Sequence, residues 1–99
     1  MSDPEPSEDT QQPVDLTALD LDQLLGLFIG ILSAKAWQYM GLRLSPGKEE
    51  AEKDLVKAAA AIDCISTMVD KLAPRLPEEE LAGLRSLVTD LQINYARQS

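Results

Sequence analysis

The sequence predicts an all-α protein: a three-helix, bundle-like protomer with a disordered acidic N-terminal arm, completing its core by oligomerisation. Three observations predict this. Apolar residues recur at steps of three and four along two long segments, the spacing of a buried helical face. A third segment, Leu21 to Met40 (LDQLLGLFIGILSAKAWQYM), is apolar on every side between Leu24 and Ala34. No stretch alternates with the period of two that marks a half-buried strand. The 99 residues allow one domain, and 44% of them are apolar although only 4% are aromatic. A chain this short buries a modest share of its surface, so an apolar-rich one tends to associate.

Residues 1–17 read as the arm and residues 18–99 as the helical domain. The arm is rich in Pro, Ser and acid, and cannot bury enough apolar surface to offset its ordering entropy. Residues 1–20 carry Asp3, Glu5, Glu8, Asp9, Asp15 and Asp20 with no Lys or Arg, whereas residues 21–99 hold eleven acids against nine bases. The net charge of −8 therefore belongs mostly to the arm. A nucleic-acid partner is not expected, since the basic footprint it requires is missing, and anionic lipid is disfavoured for the same reason. The acidic N-terminus has neither the basic nor the apolar region of a signal peptide. With a single cysteine, Cys64, no internal disulfide can form, which fits a reducing, cytoplasmic setting.

Helix 1 is expected over residues 21–40. Asp20 is positioned to cap it with Gln23 in a capping box, and Leu19 and Leu24 can form a hydrophobic staple. Gly41 is suited to the left-handed residue that ends it. Gly26 and Gly30, extended by Ala34, form a stripe of small residues on which another backbone can approach closely. In membranes that pattern marks helix dimers, but a span needs about 20 apolar residues. The run here is half as long and is bracketed by Asp22, Lys35 and Arg43, so a soluble crossing is expected instead. Replacing Gly30 by Leu is expected to disrupt it.

Helix 2 is expected over residues 48–72, with Ser45 as cap, Pro46 at the first position and Glu49, Glu50 and Glu52 in the positive early turns. Ala51, Leu55, Ala58, Ile62, Ile65, Val69 and Leu72 form a heptad-like seam. Val56, Ala59, Ala61, Cys64 and Met68 widen it. Helix 3 is expected over residues 77–95. Pro77 opens it, Glu78, Glu79 and Glu80 fill its first turn, and Leu81, Leu84, Val88, Leu91 and Tyr95 form its apolar stripe, flanked by Leu87. The chain frays after Tyr95. The short link between helices 2 and 3 makes them antiparallel neighbours.

Three segments together resemble an uncharacterised bacterial family of short proteins, domain of unknown function eighteen-forty-four. They are Ala36-Trp37-Gln38-Tyr39-Met40-Gly41-Leu42 closing helix 1; Asp54-Leu55, Ala58, Ile62-Asp63, Met68 and Lys71 on helix 2; and Pro77-Glu78-Glu79-Glu80 with Asp90-Leu91 and Tyr95 on helix 3. The sequence departs from the family pattern at Leu76, where Thr is common, and in a spacing from Pro77 to Asp90 that is one residue longer. The resemblance implies an all-helical cytosolic bacterial protein and carries no activity with it.

Candidate chemistry is sparse. The chain has no histidine, and a lone Cys without one lacks its usual activating base; Cys64 is expected to be a small core residue. Asp54, Asp63 and Asp90 match the family pattern. Paired across helices 2 and 3, Asp63 and Asp90 would form an acid/base or cation site. The simpler expectation is that each meets a base such as Lys57, Arg85 or Arg97. Trp37, Tyr39 and Tyr95 are expected to pack at the core or an interface. No catalytic, cofactor-binding or metal-binding residue is assigned. Because helices 2 and 3 are too few to cover helix 1, a homo-oligomer is expected, a dimer first, with helix 1 central and Leu24, Gly26, Leu27, Phe28, Gly30, Ile31, Ala34 and Trp37 in the contact. An unidentified protein partner is the other way to cover the same helix. The function expected is that of a non-enzymatic interaction or scaffold protein, the alternative being a small-molecule or membrane-surface binder using the apolar groove around helix 1.

Overall fold

The structure is a computed structural model that describes residues 15–99. Three helices follow in order: α1 (Leu21–Tyr39), α2 (Leu55–Leu72) and α3 (Glu78–Gln98). Short 3-10 turns occupy Leu16–Ala18 and Ala73–Arg75, and no strand occurs among the described residues. Most of the acidic arm lies outside the described residues. At its end, Asp15 accepts hydrogen bonds from the Thr17 hydroxyl (2.5 Å) and backbone N–H (3.1 Å). Those bonds hold the Asp15 carboxyl below its ordinary range. They therefore favour the turn at neutral pH and are lost as the pH falls through that lowered value.

α1 is closed at both ends as its sequence requires. The Gln23 side chain accepts from the Asp20 backbone N–H at 3.0 Å, the return bond of a capping box. At the other end Gly41 has φ +81°. Its N–H donates to the Gln38 carbonyl and that of Leu42 to the Trp37 carbonyl, both at 3.0 Å. That is a Schellman motif, and it needs the left-handed residue that Gly supplies without strain.

The second helix starts seven residues later than its acidic approach suggests. Ser45 does not cap it: its hydroxyl donates to Gln38 Oε1 at 3.1 Å, and Gly47 turns the chain with φ +79°. Asp54 is the cap instead, accepting from the Lys57 backbone N–H at 3.1 Å. The physical reason lies in Lys48 to Lys53, whose only apolar side chain is Ala51. Helices draw most of their stability from packing an apolar face, and this stretch has none to pack. Ala51 is accordingly exposed and outside the seam. Replacing Asp54 by Ala should cost about 1 kcal/mol, read as a lower denaturation midpoint with loss of helix. Ser45→Ala should leave helical content unchanged and lose only the hydrogen bond to the buried Gln38, roughly 0.5–1.5 kcal/mol.

Polar ties at the helix ends set the arrangement. The Asp54 N–H donates to the Tyr39 carbonyl at 2.7 Å, and Arg75 pairs with Asp22, so α1 and α2 run antiparallel. Lys53 Nζ donates to Gln98 (3.1 Å) and Arg85 pairs with Asp70 (3.1 Å), so α2 and α3 also run antiparallel. α2 is the shared neighbour, and α1 scarcely meets α3.

The core follows from that order. α2 contributes Ala58, Ala61, Ile62, Ile65, Val69 and Leu72; α1 contributes Ile29, Ala36 and Met40; α3 contributes Leu91 alone. The buried centre of the protomer thus belongs to the seam of α2 rather than to the more apolar α1. Val56, expected beside that seam, is 81% exposed, and Cys64, expected in the core, is exposed too. At 100° per residue they sit roughly 160° and 120° round the helix from Ala58. Buried polar groups are satisfied: Ser33 donates to the Ile29 carbonyl at 2.7 Å, and no buried side-chain nitrogen or oxygen lacks a partner among the described residues. α3 starts at Glu78 with Pro77 as its cap residue and continues to Gln98, three residues past the fraying expected at Tyr95. The Lys53–Gln98 bond fastens that last turn.

Candidate functional site

The faces of α1 differ in environment rather than in polarity. Ile29, Ser33, Ala36 and Met40 point into the protomer and are buried. On the opposite side Leu27, Phe28 and Ile31 are 38%, 37% and 52% exposed, with Leu24 half-buried beside them. Their spacing of three and four residues places them in one row. An aromatic and three aliphatic side chains thus form one partly exposed apolar row on the side of α1 away from the core.

The expected contact residues divide between two sides of α1. Leu24, Leu27, Phe28 and Ile31 make the outer row. Gly26 and Gly30 lie on a flank, both exposed. A Cβ built on either glycine meets nothing within 4 Å, so no close helix crossing inside the protomer uses them. Ala34 and Trp37 are half-buried, and Trp37 packs against the core cluster. Gly30→Ala should therefore stabilise the isolated protomer by about 0.5–1 kcal/mol through helix propensity. Its melting temperature, measured at a concentration too low for association, checks this.

The carboxylates do not converge. Asp54 is a helix cap and meets Lys57 through the backbone rather than the ammonium. Asp63 is exposed beside a hollow of 140 Å³ lined by Ala59, Ile62, Gln92 and Tyr95. Asp90 is exposed beside a different hollow, which it shares with Arg85. Neither side chain is in an ion pair or hydrogen bond among the described residues; Arg85 turns to Asp70 instead. No group of three metal-ligating side chains occurs among the described residues. Tyr39 and Tyr95 are half-buried against the core. The Tyr39 ring also carries the ammonium groups of Lys35 at 4.8 Å and Lys57 at 5.8 Å, contacts that sequence spacing shows only for the first. A further groove of 380 Å³ lies between α1 and α3, with Leu72, Leu76 and Leu84 lining it beside Gly26 and Gly83, and with Asp22 and Glu80 among its polar groups. No helix among the described residues is long and apolar enough to cross a membrane.

A family model, Domain of unknown function (DUF1844), matches residues 23–97. The chain belongs to this family. The match extends from the first turn of α1 to the last turn of α3, so the DUF1844 unit comprises all three helices and both connectors. It includes the outer row of α1 and leaves out the acidic arm. No functionally curated protein and no solved structure shows significant similarity to the chain.

Proposed function

We propose that this DUF1844 protein acts without catalysis, as a helical interaction or scaffold protein of the bacterial cytoplasm that self-associates through α1. The observation that carries this reading is the row Leu24, Leu27, Phe28 and Ile31, apolar and only partly covered on a helix whose other side is already packed. Complete burial of such a side chain is favourable by about 1.5–3 kcal/mol, and covering the part of each that the protomer leaves exposed contributes a share of that. A symmetric dimer is the commonest way to cover a patch of this kind. An unidentified protein would satisfy the same row.

The test is sedimentation of the purified full-length protein, together with Ile31→Asp. The wild type is expected to sediment as a dimer. The variant, which places a charge in the row without touching the core, is expected to sediment as a monomer with unchanged helical content. A wild type that stays monomeric at micromolar concentration would sink the reading.

The groove between α1 and α3 supports a second reading, a small-molecule or membrane-surface binder. Its apolar lining suits an aliphatic ligand, and Asp22 and Glu80 disfavour an anionic headgroup. Liposome flotation tests the membrane version, and native mass spectrometry tests the small-molecule version.

A further inference from the structure

Charge on either side of the apolar row of α1 determines how two copies fit together. Asp20, the cap residue of α1, lies four residues before Leu24, and Lys35 lies four residues after Ile31; within the row Leu24 is three and four residues from Leu27 and Phe28, which are four and three from Ile31. Neither charged group has an ion-pair partner among the described residues; Asp20 takes part in the capping box of α1, and the Lys35 ammonium rests on the Tyr39 ring at 4.8 Å. The row is also symmetric about the midpoint between Leu27 and Phe28. Asp20 and Lys35 are equidistant from that point, as are Leu24 and Ile31.

We infer that the occupant of this face is α1 of a second copy, lying antiparallel across a two-fold axis at the Leu27–Phe28 midpoint. This rests on the self-association proposed above and adds its geometry. In the antiparallel arrangement Asp20 of each copy faces Lys35 of the other, Leu24 faces Ile31, and Leu27 faces Phe28. The apolar row is closed at both ends by opposite charges, and the two helix dipoles oppose. A parallel pair would set Asp20 against Asp20 and Lys35 against Lys35, like charges that disfavour association. Sliding the antiparallel pair by one turn would place Lys35 against Leu24, or Asp20 against Ile31, and leave the charges unmatched.

The test uses the full-length chain with the exposed Cys64 replaced by Ser. Leu24→Cys and Ile31→Cys are made separately, then mixed and oxidised. The mixture is expected to form a heterodisulfide, while neither variant alone cross-links. In the antiparallel pair two copies of position 24 lie about 10 Å apart along the axis, seven residues at 1.5 Å each, too far for a disulfide. A homodisulfide from either variant alone, or a dimer that gives no disulfide at these positions, overturns the antiparallel arrangement and leaves self-association standing. A parent that sediments as a monomer overturns both. Lys35→Glu supplies an independent readout. It is expected to raise the dimer dissociation constant at least tenfold at low salt while circular dichroism shows the helices intact. An unchanged constant overturns the charge pairing.

Discussion

Leu91→Ala is expected to lower the stability of the protein by about 2–5 kcal/mol, measured as a shift in the urea midpoint followed by circular dichroism. Leu91 is the one fully buried side chain that α3 contributes. Its companions on the same stripe, Leu81, Leu84, Leu87 and Val88, are only half-buried. A cavity at position 91 therefore removes the best-buried of the contacts that hold α3 against the core. Because small domains are stable by only about 5–15 kcal/mol, the variant should release α3 well before the rest of the molecule melts. Hydrogen exchange would then show fast α3 amides against slow α1 and α2 amides. Ile93, two residues away and 45% exposed, serves as the comparison: Ile93→Ala should cost less than about 0.5 kcal/mol. Equal effects at the two positions would mean that α3 docks by another face.

Ile65→Ala should have an effect of the same size, about 2–5 kcal/mol, but a different form. Ile65 is fully buried in the middle of α2, the helix that both neighbours pack against. Its truncation weakens the whole core, so calorimetry should show a single transition at a lower temperature and uniformly faster exchange. Val56→Ala, on the same helix but facing solvent, should move the transition by less than about 0.5 kcal/mol. The contrast separates the packed seam from the apolar residues that merely share its helix.

Much of this architecture was legible in the sequence because its signals are periodic. The steps from Leu55 to Leu72 alternate three and four, and the residues they select, Ala58, Ile62, Ile65, Val69 and Leu72, are buried. The stripe of α3 reads the same way and centres on Leu91. Gly41 announced the end of α1 because few other residues accept its backbone angle. The start of α2 was misleading for a definite reason. Ser45, Pro46 and three glutamates carry every local sign of a helix N-terminus, yet a local sign cannot report that no apolar surface follows it until Leu55. Val56 and Cys64 were misplaced by widening the seam to residues of the right polarity but the wrong angle.

The site was less legible. The excess apolarity of α1 showed in its composition, but which side stays open depends on where α2 lies, and that is tertiary information. Hence the glycines, prominent in sequence, stand on a flank with nothing against them, while Leu27, Phe28 and Ile31 define the outer row. The pairing of Asp54 with a backbone N–H rather than an ammonium likewise followed from where the helix began.

The position of α2 between its two sequence neighbours also bears on how the chain reaches its native state. Each packing partner is the next helix along, so assembly closes only the loops between consecutive helices, and no contact essential to the core waits for the chain ends to find each other. Folding on the order of microseconds to milliseconds follows from such a topology. α2 is the template on which either hairpin can form first, and a nascent chain that has emerged only as far as Leu72 already holds a complete α1–α2 pair.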